Sequence, residues 1–214
     1  MSRFRRSWFD VGVILGLILV VAWIAFRPDF ETMQLILWVS LLTLFLHQFE
    51  EWRWPGWFAG MLNIGLFRSD DPDRYPLNSL SGMIVNVVVG WGGYVLAALL
   101  WSHALWLGVA TFLVSIGNCC FHLIFMPIRL RIPYNPGMVT SLLLFLPVTV
   151  WFFVEGAHSG LLTAGDLAIG IPLGIVLNAL GVIGVIELLK RHDAEPFPRR
   201  MIEPARRRLL SNGN

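Results

Sequence analysis

Six long apolar runs set the main constraint on how this chain can fold. Each holds about 18–24 residues, and a helix of ~20 apolar residues crosses the ~30 Å hydrocarbon core of a bilayer. The runs lie at about residues 8–27, 34–51, 80–101, 103–126, 138–155 and 166–189. They predict an all-α, polytopic bundle of six transmembrane helices in a single domain, 1–192, followed by a basic tail, 193–214.

The composition supports a membrane protein. Of the 214 residues, 56% are hydrophobic and only 14% are charged, which excludes an ordinary soluble domain. The first run follows Arg3, Arg5 and Arg6, as a signal peptide would, but it lacks a small-residue cleavage site and is predicted to be a retained anchor. We therefore expect the chain to contact membrane lipid, and we do not expect it to bind nucleic acid.

The basic residues predict the orientation. Fifteen of the sixteen Lys and Arg residues fall on one side of the predicted bundle, and Arg27 alone falls on the other. Because basic residues concentrate on the cytoplasmic side, both termini are expected there. We expect a protein integral to the membrane, in a bacterial inner (plasma) membrane.

Polar residues in the predicted helices share one depth. His47, Glu50 and Glu51 close the second run, Asn86 lies ~9 Å inside the third and His122 ~10 Å inside the fourth, measured from the cytoplasmic side. Asn118 lies one turn deeper than His122, and Glu187 ends the last run. Ionisable residues within membrane segments usually mark functional sites, so this shared depth predicts a site in the cytoplasmic leaflet.

Helical spacing favours a metal site. His47 and Glu51 are four residues apart, so they share a face with Glu50. An imidazole and a carboxylate one turn apart is how helices present metal ligands. The ordinary alternative is a solvated helix end, with Trp52, Trp54 and Trp57 as an aromatic belt at the interface and Glu187 neutralising Lys190 or Arg191.

These residues also resemble a known family. His47-Gln48-Phe49-Glu50-Glu51 matches the motif of the HXXEE-domain membrane proteins. The later Asn86, the Asn118-x-x-x-His122 pair and the turn 134–137 (Tyr-Asn-Pro-Gly) are similar to that family's other polar landmarks. The resemblance covers roughly residues 35–190, and it implies a multi-pass protein with a His/Glu site but no particular activity.

The leading hypothesis is a metal-dependent enzyme that hydrolyses or transfers part of a lipid-like or amphiphilic substrate. The proposed ligands of a divalent zinc or iron ion are His47, Glu51, His122 and, less centrally, Glu187. The catalytic candidates are Glu50 as general base, Asn86 and Asn118 as supporting or oxyanion-stabilising groups, and Tyr134 over the cytoplasmic mouth.

Three alternatives use the same residues. One is a metal-free hydrolase in which a glutamate activates water and His122 polarises a carbonyl. Another is a proton-coupled transporter, although transport normally requires polar groups through the whole membrane thickness. The last is a haem protein with His47 and His122 as axial ligands.

Overall fold

The computed structural model describes residues 2–210, which form eight helices and no strand. We number the helices α1 to α8 in chain order. Their bounds are Ser2–Phe26 (α1), Thr32–Trp52 (α2), 58–66 (α3), Ser79–Leu99 (α4), Leu105–Leu130 (α5), Met138–Ser159 (α6), Ala164–Leu189 (α7) and Arg199–Leu210 (α8).

Six of these helices are long and apolar enough to cross a membrane: α1, α2, α4, α5, α6 and α7. The all-α class and the number of apolar helices are thus confirmed. The helices are longer than the apolar runs at several ends. For example, α1 includes the arginines that precede its run, and α5 continues to Leu130. Helix ends need only backbone hydrogen bonds, so hydropathy alone does not set them.

One end of the bundle collects the polar residues, and we call it the site end. There the end of α2 meets the start of α6, and Asn78, which caps the start of α4, donates a hydrogen bond to the carbonyl of Leu189 at the end of α7. The opposite end, called the far end, is packed by apolar and aromatic residues such as Phe112 and Phe152, whose rings stack 4.3 Å apart.

Four of the long helices contain a wider, π-helical stretch. These stretches are Ile84–Trp91 in α4, Phe121–Phe125 in α5, Ser141–Phe145 in α6 and Leu177–Gly184 in α7. Pro127 and Pro147 follow two of them closely. Because proline has no N–H for the carbonyl four residues earlier, the hydrogen-bond ladder shifts there. Such stretches are frequent at functional sites, and His122 lies within one.

Two short helices close the site end. The side chains of Met201, Ile202 and Ala205 in α8 are buried, and Gly60 in α3 lies so close that an added Cβ would come within 2.6 Å of the Met201 carbonyl oxygen. Residues 199–210 of the predicted tail are therefore helical and packed, and residues 211–214 lie outside the described residues.

The tryptophans at the end of α2 and just after it do not form an aromatic belt at the surface. Trp52 and Trp57 are core residues with exposed fractions of 2% and 1%, and only Trp54 is exposed. The edge of the Trp8 ring packs against Trp52. This part of the chain is therefore interior to the protein, which places the end of α2 under a protein cover.

Candidate metal centre

Two histidines and a glutamate from different helices meet at the site end. His47 and Glu51 come from α2 and His122 from α5, and all three side chains are buried. Glu51 Oε1 lies 3.6 Å from His47 Nε2 and 3.2 Å from His122 Nε2. The three candidate ligand atoms lie within 4.8 Å of one another. The predicted meeting of these residues is therefore present in the fold.

The hydrogen bonds of Thr140 determine which nitrogen of His47 carries the proton. The Thr140 hydroxyl lies 2.6 Å from Glu50 Oε2 and 2.9 Å from His47 Nδ1. Because a carboxylate only accepts, the hydroxyl donates its single proton to Glu50 and must accept from His47. In this arrangement His47 donates from Nδ1, and its Nε2 lies 3.6 Å from Glu51 Oε1.

Asn135 does the same for His122. The Asn135 side-chain oxygen lies 2.6 Å from His122 Nδ1, while its amide donates to the His122 carbonyl. An amide oxygen only accepts, so His122 Nδ1 carries a proton. Gly137 supports this ring directly, since a Cβ built there would lie 2.5 Å from His122 Cε1. Both imidazoles are therefore donors on Nδ1, and the Nε2 atom of each lies near Glu51 Oε1.

The free Nε2 atoms of His47 and His122 have no hydrogen-bond partner among the described residues. Two buried lone pairs beside a carboxylate oxygen repel one another unless a cation or a proton lies between them. Ligand atoms bound to one ion at ~2.1 Å lie up to ~4.2 Å apart, so small side-chain rotations would close this set around a zinc or iron ion. The donor set fits a metal.

Glu50 does not join this group directly, and its carboxylate oxygens are both engaged. Its Oε1 accepts hydrogen bonds from the Tyr134 hydroxyl and the Val139 N–H, and its Oε2 accepts from the N–H and the hydroxyl of Thr140. Burial, followed by the neighbouring Glu50 charge, raises the pKa of the Tyr134 phenol, which therefore stays a donor. Glu50 thus caps the first turn of α6.

A cavity of about 100 Å³ adjoins His47 and Glu51. Asn86 and Asn118 both line it. Each uses one amide N–H to bond the carbonyl four residues earlier, at 2.8 Å to Gly82 and 2.9 Å to Val114. The candidate centre is therefore bordered on one side by a cavity with polar amides in its wall.

Residues 38–152 match a protein family described as "Protein of unknown function with HXXEE motif". The match covers more than half of the 214 residues and includes the whole His/Glu group. The chain belongs to the HXXEE family. Neither the curated proteins nor the solved structures contain a match to it.

The geometry separates the two glutamates of the HXXEE motif. His47 and Glu51, the first and last residues of the motif, face the candidate centre one helical turn apart. Glu50, the first glutamate, instead contacts the start of α6. The motif therefore combines two candidate ligands with one structural acceptor.

Glu187 does not join the candidate centre. It is half-exposed near the end of α7, and its carboxylate pairs with Lys190 Nζ at 2.6 Å. The hydrogen bond to Glu187, followed by the charge of its carboxylate, raises the pKa of Lys190. Glu187 also lies outside the range that matches the HXXEE family. The structure therefore gives Glu187 an ordinary role, the neutralisation of a lysine at a helix end.

Two residues of the site were missed by sequence analysis. Thr140 and Asn135 hold the two imidazoles, and the sequence alone did not single out either of them as a site residue. The available signal was the turn 134–137, which lies directly before α6. In this turn an asparagine precedes a proline. A small polar residue at a helix start commonly caps it, but its contact with a distant histidine depends on tertiary structure.

Proposed function

We propose that this chain is a metal-dependent membrane enzyme in which His47, Glu51 and His122 hold a zinc or iron ion. The site would lie in the cytoplasmic leaflet, with both termini cytoplasmic as the basic residues predict. The substrate would be lipid-like or amphiphilic, and hydrolysis or transfer is the expected reaction.

One observation carries the proposal: two buried imidazole nitrogens, both left free by hydrogen bonds on the opposite ring atom, converge on one carboxylate oxygen. Histidine ligands of metals commonly donate their other N–H to an oxygen, which orients the ring and makes it a better ligand. Thr140 and Asn135 supply such oxygens. A purely structural histidine would use both nitrogens in hydrogen bonds when buried.

Three protein ligands leave coordination positions open, which is typical of catalytic sites. An ion held there would supply Lewis acidity and would lower the pKa of a bound water. The cavity beside His47 and Glu51 offers room for a reacting group, and Asn86 and Asn118 could donate to it. Because Glu50 is fully engaged by four hydrogen bonds, we do not assign it the role of general base.

A metal-free acid–base enzyme is the second candidate. The 3.2 Å separation of His122 Nε2 and Glu51 Oε1 would let the pair share a proton in place of a metal ion. The group would then be a histidine–carboxylate pair able to exchange protons with a substrate. Metal analysis separates this candidate from the first.

A haem protein and a transporter fit the geometry less well. The rings of His47 and His122 lie 5.0 Å apart and the adjoining cavity is about 100 Å³, well below the ~300 Å³ at which pockets for drug-sized ligands begin. A haem would not fit between them. For transport, the buried carboxylates and imidazoles found within residues 2–210 all lie at the site end, so no ionisable pathway continues to the far end.

The test is elemental analysis of the purified full chain together with the His47→Ala and His122→Ala variants. We expect about one zinc or iron ion per wild-type chain and a large loss in both variants. His103→Ala and His158→Ala, which remove exposed histidines near the far end, serve as matched controls and should keep the metal. Thermal unfolding of each variant shows whether it is folded.

If the folded wild type binds metal and neither His47→Ala nor His122→Ala lowers the metal content, the ligand assignment is overturned. A wild type that contains no metal and binds no added Zn²⁺ or Fe²⁺ would favour the metal-free acid–base enzyme. In that case Glu51→Gln should still change the pH dependence of any activity, since the shared proton is lost.

A further inference from the structure

We propose that the cavity beside the candidate centre binds an uncharged carbonyl group of a fatty acyl ester or amide, and that the acyl chain enters between α4 and α7. This inference rests on the proposed function, because it assigns the substrate class of the same site. Three properties of the cavity support it: its charge, its hydrogen-bond donors and its position in the bundle.

The cavity carries no positive side chain. Its twenty lining residues include no lysine or arginine, and its only carboxylate belongs to Glu51. Phosphate groups are usually recognised by arginine or lysine, or by several N–H donors at a helix start. A buried phosphate would leave most of its acceptor oxygens without partners here. The cavity therefore disfavours a phosphate group.

The donors that are present suit a carbonyl oxygen. Asn86 and Asn118 each spend one N–H on their own helix, so one N–H remains on each amide. Gln48 accepts from the Trp91 indole N–H and donates one N–H to the Asn86 carbonyl, so its second N–H is a further candidate donor. The cavity thus offers uncharged amide N–H donors, which suit the oxygen of an ester or amide carbonyl.

Most of the remaining cavity wall is apolar, and its position indicates where the acyl chain would lie. At about 100 Å³ the cavity holds roughly three groups of the size of water, so a longer chain must leave it. Its lining includes Val85 and Val89 of α4 and Leu177 and Val182 of α7, which are all partly exposed. The neighbouring Val88 and Leu180 lie on the outer surface. An acyl chain can therefore pass from the cavity to lipid between these helices.

Helices α4 and α7 pack closely beside the cavity. A Cβ built on Gly181 would lie 3.1 Å from Val89 Cγ1, so small residues already set the spacing. A larger side chain at Val182, which lines the cavity, should obstruct the passage. The adjacent Ile183 is exposed on the outer surface and offers a matched control.

The experiment is photolabelling of the full-length protein in phosphatidylcholine vesicles with an N-octyl amide that carries a diazirine next to its carbonyl. We expect mass spectrometry to find the label on cavity residues, near Asn86 and Asn118. Excess octanamide should reduce that labelling roughly tenfold, whereas octylphosphonate at the same concentration should reduce it little. Val182→Phe should also reduce it roughly tenfold, while Ile183→Phe should not.

Cavity labelling that octylphosphonate suppresses as well as octanamide does would overturn the inference, and so would equal effects of Val182→Phe and Ile183→Phe. Label found only on outer-surface residues would overturn it as well. The probe needs no metal, so this experiment and the metal analysis fail separately. Metal content is measured in both phenylalanine variants, and a chain that lacks metal but labels as expected would refute the proposed metal centre alone.

Discussion

Two regions of the bundle solve the problem of buried polar groups differently. Farther from the His/Glu group, the hydroxyls of Ser40 and Thr111 each bond a carbonyl three residues earlier in their own helix. At the site end, buried polar side chains bond across helices, as Glu50 of α2 does with α6. Local bonds are satisfied in any arrangement of the helices, whereas bonds across helices require this one.

The comparison shows why only the site end is a candidate centre. A hydroxyl that donates to its own helix has no second proton to donate to a ligand. Where a side chain bonds a neighbouring helix with one atom, its other atom is held at a fixed position. His47 and His122 are held in this way by Thr140 and Asn135.

The largest effect on stability is expected for Glu50→Gln. The glutamine amide would place N–H groups against the donors of Tyr134, Val139 and Thr140, which now bond the Glu50 carboxylate. The free energy of unfolding should therefore fall by about 3 kcal/mol. Glu31→Gln, at the exposed start of α2, is the matched control and should change little. Unfolding in detergent measures both, and equal stabilities would contradict the role of Glu50 as an acceptor between helices.

Two glycines with positive φ give the next comparison. Gly137 at the site end has φ +99° and contacts the His122 ring, whereas Gly160 at the far end has φ +69° and nothing within 4 Å of an added Cβ. Both alanine variants strain the backbone, but only Gly137→Ala also overpacks a neighbour. It should therefore destabilise the protein by about 2 kcal/mol more than Gly160→Ala. Thermal unfolding tests this, and equal losses would mean that the ring moves freely.

Thr140→Val should weaken metal binding roughly tenfold, because His47 loses the oxygen that accepts its Nδ1 proton. Thr140→Ser keeps that oxygen and should restore the affinity, which a purely structural role for Thr140 would not require. Competition with a zinc-binding dye measures the affinity of all three proteins. Equal affinities in the valine and serine variants would refute the positioning of His47 by Thr140.

The smallest effect is expected for Ser40→Ala, farther from the His/Glu group. Its hydroxyl bonds only the carbonyl of Leu37, which already accepts within α2, so the loss should stay near about 0.5 kcal/mol and the metal content should not change. Unfolding and elemental analysis check the two expectations. A loss of metal in this variant would remove the distinction between the two regions.

Much of the fold follows from the sequence, because hydropathy over ~20 residues identifies apolar helices whatever they pack against. The pairing of His122 with His47 and Glu51 also followed, since residues at one depth on neighbouring helices are close. The burial of Trp52 and Trp57 did not follow, because it depends on α3 and α8 folding over the end of α2.

The sequence by itself determined the all-α class, the six apolar helices, the HXXEE motif and the shared depth of its polar residues. The tertiary structure alone decided that Glu51 faces the histidines while Glu50 holds α6, and that Glu187 stays outside their group. The physical reason is that periodicity gives the depth of a side chain along its helix, whereas its partner depends on how neighbouring helices are rotated and packed.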